Sequence, residues 1–116
     1  MEKKDTFQMA INQTEGSIAA LSPFLDREGR LTALPAKNKK KLMALWYLAQ
    51  KIDSERSYTE GQINALLDEW TAFHDPATLR RELYNKRLLD RTPDGKSYWK
   101  ETDIPELDAF LSQHLS

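Results

Sequence analysis

The chain of 116 residues contains no cysteine. Disulfides, thiolate zinc sites, iron–sulfur clusters and cysteine nucleophiles are excluded together. Its two histidines, His74 and His114, lie far apart, so no zinc centre is expected. The four glycines, at 16, 29, 61 and 95, are isolated, which leaves no glycine-rich phosphate loop and no expected cofactor. No apolar run approaches the ~20 residues of a membrane helix. The opening Met1-Glu2-Lys3-Lys4-Asp5 leads into no apolar signal core, so a cytoplasmic protein with no membrane partner is expected. His74 and Asp75 are adjacent, a spacing that rarely supports a catalytic dyad, and no nearby serine offers a nucleophile. A non-enzymatic role is therefore expected.

What is present is an ordinary globular balance, with 40% hydrophobic and 30% charged residues. The length suits one structural unit. The net charge of -1 argues against a polyanion partner, but its distribution does not. Residues 30–100 carry fourteen Lys/Arg against nine Asp/Glu, while both ends are acidic. A basic middle of this kind suits either solvated surface or a nucleic acid.

Periodicity divides the chain into an N-terminal helical extension (1–23), a central unit (24–102) and a C-terminal amphipathic helix (103–116). Phe7, Ile11, Ile18 and Leu21 suggest one or two short helices at the start. Pro35 suits the first position of a helix over 36–52, whose stripe is Leu42, Leu45, Trp46, Ala49 and Ile52. Its first turns hold Lys37, Lys39, Lys40 and Lys41 and no carboxylate, the wrong sign for a helix N-terminus but a suitable one beside an anion. Thr59 and Gln62 form a capping-box pattern, with Tyr58 and Ile63 as a hydrophobic staple, for a helix over 60–71. Asp75 and Pro76 open another over 76–87. Leu79 and Leu83 mark its inner face, Thr78, Arg81 and Asn85 its outer face, and Arg80 and Tyr84 its edge. Pro93-Asp94-Gly95 then turns a hairpin over 88–100 with a basic tip region of Arg91, Lys96 and Lys100. Pro105 opens a last helix with Leu107, Phe110, Leu111, His114 and Leu115 along one side.

Three helices followed by a hairpin give the expected fold: α+β, mostly helical, a winged helix–turn–helix with extra terminal helices. Gly29-Arg30-Leu31 is the expected third strand. In that layout the last helix of the motif reads a DNA groove. Thr78, Arg80, Arg81 and Asn85 are the candidate readers. Lys37, Lys39, Lys40, Arg91 and Lys96 are the candidate phosphate contacts. The acidic ends would face away from the duplex. The alternative is an interaction module, with a homodimer or a partner protein held through the terminal helices.

The runs Leu34-Pro35-Ala36-Lys37, His74-Asp75-Pro76-Ala77-Thr78-Leu79-Arg80-Arg81-Glu82-Leu83, Leu88-Leu89-Asp90-Arg91 and Asp94-Gly95-Lys96-Ser97-Tyr98-Trp99 resemble a prokaryotic family, domain of unknown function 2087. The resemblance covers roughly residues 24–100. It implies an association with helix–turn–helix transcriptional regulators and a nucleic-acid role, with Thr78, Arg80 and Arg81 in the family's most distinctive run. Two departures stand out. Pro76 occupies a position where many members carry an aromatic residue. The chain also shows no separate N-terminal DNA-binding domain, so it is expected to act alone or with a partner.

Overall fold

Between Leu42 and Ala49 almost every residue is apolar, and a helix apolar on most sides belongs inside a protein. The computed structural model, which describes residues 18–115, places it there. Helix α1 (Asn38–Ala49) buries Leu42, Met43, Ala44, Leu45, Leu48 and Ala49. The single stripe read from the sequence is thus widened by Met43, Ala44 and Leu48. Pro35 does not open this helix. It is buried in the lead-in, and Lys37 is the N-cap, with no side-chain hydrogen bond to the helix.

Strand β1 (Ser57–Tyr58) leads directly into helix α2 (Glu60–Glu69). The capping box forms as the sequence predicts. Thr59 Oγ1 accepts the Gln62 N–H at 3.1 Å, and Gln62 Oε1 accepts the Thr59 N–H at 2.9 Å. The staple residues Tyr58 and Ile63 are both buried.

Helix α3 (Pro76–Asn85) starts with the Asp75 carboxylate accepting the Thr78 N–H at 3.4 Å. It stops in a Schellman arrangement. The Leu88 N–H donates to the Leu83 carbonyl at 2.9 Å, and the Arg87 N–H to that of Tyr84 at 3.1 Å. Arg87 takes a left-handed φ of 60° at the turn. Leu83 and Leu88, the apolar pair that accompanies such a stop, are fully buried.

Strands β2 (Leu89–Arg91) and β3 (Tyr98–Lys100) follow as the hairpin. The sheet is antiparallel with order β1-β3-β2, and Tyr98 faces Tyr58 on one side and Arg91 on the other. Its third strand is therefore Ser57–Tyr58 and not Gly29-Arg30-Leu31. The Asp26 carboxylate accepts the Glu28 and Arg30 N–H groups, and Gly29 closes the turn at φ 79°. That tight turn delivers Leu31 to the end of α2, where its N–H donates to the Trp70 carbonyl and its carbonyl accepts from Ala72. Leu31 makes only isolated bridges, to Leu25 and Thr71.

Helix α4 (Leu107–Leu115) packs on α1 with Leu107, Phe110 and Leu111 buried. The Trp46 indole N–H donates to the Pro105 carbonyl at 3.0 Å and fixes the approach. Leu115, expected on the same apolar side, is 44% exposed. Among the described residues the fold is thus α+β, with four α-helices of at least nine residues and a small three-stranded sheet. The expected N-terminal helices fall on residues outside those described, apart from 18–21, of which Leu21 is fully buried. Among the described residues no helix is long and apolar enough to cross a membrane.

Arg87 holds a left-handed conformation that costs a residue with a side chain about 1–2 kcal/mol, partly offset by the greater freedom glycine has when unfolded. Arg87→Gly should raise stability by about 0.5–1 kcal/mol in urea melts.

Candidate nucleic-acid interface

With Leu79 and Leu83 pointing inward, the centre of the outward side of α3 falls at Arg81. Arg81 is exposed. Its guanidinium lies 3.5 Å from Thr78 Oγ1, a neutral partner at the limit of a hydrogen bond. Among the described residues no carboxylate forms an ion pair with it. The acid next to it in sequence, Glu82, is engaged by Lys41 at 2.8 Å and Lys86 at 3.9 Å.

Arg80 differs in every respect. Its side chain is 15% exposed, donates to Asn64 Oδ1 at 2.6 Å and lies 3.8 Å from a Glu60 oxygen. It also sits over the Tyr98 ring, 5.8 Å from the centroid. Arg80 therefore ties α3 to α2 and the sheet, and only part of it reaches solvent.

Arg91 approaches α3 from the hairpin. Its guanidinium lies 5.0 Å from the centroid of the half-exposed Tyr84 ring and donates to the Thr92 and Pro93 carbonyls, each at 3.2 Å. Arg80, Arg81, Tyr84, Asn85, Arg91 and Tyr98 together line an open cleft of about 360 Å³. Four of the nine residues chosen from the sequence thus meet in one place. Thr78 joins them through Arg81. Tyr84 and Tyr98 were missed as site residues, although Tyr84 was placed at the edge of the helix, three positions from Arg81.

The hairpin tip is organised by Asp94. Thr92 Oγ1 donates to its carboxylate at 2.6 Å, and the Lys96 N–H donates to the same oxygen at 3.0 Å. Gly95 completes the turn at φ 73°. Lys96 is held at the exposed tip. Lys100 is not a tip residue: it pairs with Leu89 at the root of the hairpin and lines a second groove of about 550 Å³ with Trp46, Glu55, Asp103 and Glu106.

At the start of α1, Lys37 and Lys39 are exposed, and Lys40 lies 5.8 Å from the Phe24 ring centroid. The Lys41–Glu82 pair joins this segment to the flank of α3 away from Tyr84. The opposite sign gathers at the far end of α3. Asp90 and Glu101 line a third groove of about 260 Å³ with Tyr84, Asn85 and Arg87. Glu101, from the acidic C-terminal stretch, thus approaches α3 instead of lying clear of it. His74 takes a left-handed φ of 52° in the loop before α3, and its Nδ1 lies 3.5 Å from Asp68 rather than against Asp75.

Fold and cleft together define a small α+β domain that presents a cationic helix beside a hairpin. The chain belongs to a bacterial family described as an uncharacterised protein conserved in bacteria, domain of unknown function 2087, whose model matches residues 30–100. The matched span runs from before α1 through β3, and so contains every wall of the cleft. No curated protein and no solved structure matches the chain.

Two measurements test this geometry. Arg80→Ala removes a largely buried, charge-assisted bond and leaves Asn64 unpaired. It should cost about 1.5–3 kcal/mol of stability in denaturant melts, whereas Arg81→Ala should cost under ~0.5 kcal/mol. The Thr92 hydroxyl and then the Lys96 N–H hold the Asp94 carboxyl below its ordinary value. A depressed carboxyl stabilises the fold fully above its unfolded value and loses that contribution as pH falls through the folded one. The amide signals of Gly95 and Lys96 should therefore stay fixed above the usual carboxylate range and move on acidification below it.

Proposed function

We propose that the chain is a winged-helix protein that binds duplex DNA, acting as a bacterial transcriptional regulator or an accessory to one. The order α1-β1-α2-α3-β2-β3, with the sheet order β1-β3-β2, supports the winged-helix reading. In that layout α3 enters the major groove, which has the width for one helix. Thr78, Arg81 and Asn85 are its readers. A guanidinium pairs with the O6 and N7 of guanine and an amide with the N6 and N7 of adenine. Lys37, Lys39 and Lys40 on one flank and Arg91 and Lys96 on the other contact backbone phosphates, which set register and orientation. Arg80 serves by holding α3 on α2.

The observation that carries this reading is Arg81: an exposed guanidinium at the centre of the outward face of α3, beside a neutral hydroxyl and free of carboxylate partners among the described residues. An exposed ion pair contributes little, so Arg81 loses little by standing without one. Here the nearby Glu82 is taken by two lysines, which leaves Arg81 available.

The test is fluorescence anisotropy with random-sequence duplex across a salt series. The slope of log K against log salt should be roughly -0.9 per phosphate neutralised. Lys39→Ala and Lys96→Ala should each reduce it by about one unit. Arg81→Ala should weaken binding by about tenfold or more with the melting curve unchanged. No binding at low salt, or an Arg81→Ala variant that binds as well as the parent, would end this reading.

A further inference from the structure

We propose that the cleft between α3 and the hairpin takes one unpaired nucleotide, its base stacked on the Tyr84–Arg91 pair and its phosphate held by Arg81. This builds on the reading of α3 as a nucleic-acid face but uses a different feature of it, the concavity instead of the outward ridge. The cleft, at about 360 Å³, lies at the lower end of the ~300–1,000 Å³ typical of small-molecule sites. Its walls are three guanidiniums, two tyrosine rings and one amide. Bases unstacked from a helix are recognised by this chemistry, through stacking on aromatic rings and guanidinium planes and hydrogen bonds to the base edge.

The platform is built before any ligand arrives. Arg91 is anchored by the Thr92 and Pro93 carbonyls, so its guanidinium stays 5.0 Å from the Tyr84 ring. Arg80 is anchored by Asn64, which fixes the wall formed with Tyr98. Such ordering lowers the entropic cost of binding. Tyr84 is 40% exposed, so a large part of its surface is open to a planar ligand. The charges give the ligand a direction. The neighbouring groove, which Tyr84 and Asn85 also line, holds Asp90 and Glu101 against one cation, Arg87, and so disfavours a phosphate placed there. Arg81, with its neutral partner, attracts one. The Asn85 amide, shared by both grooves, then faces the base and not the phosphate.

A paired base cannot enter such a cleft without leaving its stack. The nucleotide is therefore either a free mononucleotide or an unpaired position in a strand. The test is calorimetric titration of the full chain with the four nucleoside 5′-monophosphates, the matching nucleosides, inorganic phosphate, single-stranded hexamers and duplex. At least one monophosphate should bind about tenfold or more tightly than both its nucleoside and phosphate, and Tyr84→Leu should remove about that factor with the far-UV spectrum unchanged. Monophosphates that bind no better than inorganic phosphate, or a Tyr84→Leu variant that binds them normally, would overturn the proposal. A hexamer that binds more tightly than its monophosphate assigns the site to a strand, and the reverse order assigns it to a free nucleotide. The double variant Lys39→Glu with Lys40→Glu should weaken duplex binding and spare the monophosphate. Monophosphate binding without any duplex binding would refute the duplex reading and leave the cleft standing.

Discussion

The direction in which the chain leaves α3 governs the cleft between that helix and the hairpin. Leu83 and Leu88 must both be buried, and Leu89 with them, while the helix that carries Leu83 has to stop between them. The Schellman stop meets this constraint in four residues. It satisfies the Leu83 and Tyr84 carbonyls and turns the backbone through the left-handed Arg87. Strand β2 therefore starts at once against α3, and Arg91, two residues along it, reaches the Tyr84 ring. A longer connection would leave the hairpin free to swing, and the cleft would have one wall. The strain at Arg87 is thus coupled to the site through geometry, without Arg87 lining the cleft itself.

Arg80 and Arg81 show how one helical step separates two roles. A rotation of about 100° takes Arg80 toward α2, where Asn64 and Glu60 meet it, and leaves Arg81 on the ridge. A partly buried guanidinium needs its donors satisfied, and Arg80 has those partners. An exposed one gains little from a surface acid, and Glu82 has already turned to Lys41 and Lys86. Glu82 in turn fastens the lysine-rich start of α1 to α3. One carboxylate thereby neutralises charge the fold needs to bring together and leaves Arg81 outside the exchange.

Legibility in the sequence followed the range of the interaction. The starts of α2 and α3 were readable because Thr59, Gln62, Asp75 and Pro76 act within three residues of themselves. The hairpin was readable from Pro93-Asp94-Gly95, whose turn is closed locally by Thr92 and Lys96. The third strand was not. Ser57–Tyr58 is two residues long, too short for any period, and its partner in the sheet is about forty positions away. Gly29-Arg30-Leu31 looked more like a strand, but the Asp26 turn and the end of α2 claim its backbone bonds. In the site, Arg81 and Asn85 could be placed by helical spacing alone. The anchoring of Arg80 by Asn64, sixteen residues earlier, has no local signature. Neither has the meeting of Arg91 with Tyr84, which depends on how α3 ends.

A net charge of -1 describes the whole chain, while a polyanion would meet only one side of it. Charges farther apart than about 10 Å are largely screened at ordinary ionic strength, so arrangement decides more than the sum. Much of the acid of the C-terminal stretch lies around the groove beside Trp46, which Glu101, Asp103 and Glu106 line together with Lys100. Glu101 also lines, with Asp90, the groove at the far end of α3, beside Arg87. They give the cationic surface an edge. On the proposed reading, a phosphate backbone held by Lys37, Lys39, Arg91 and Lys96 would meet repulsion if it slid toward Asp90 and Glu101. On that reading the carboxylates near α3 would not oppose the cations: they would confine a polyanion to one track, where positive charge alone would leave its position undetermined.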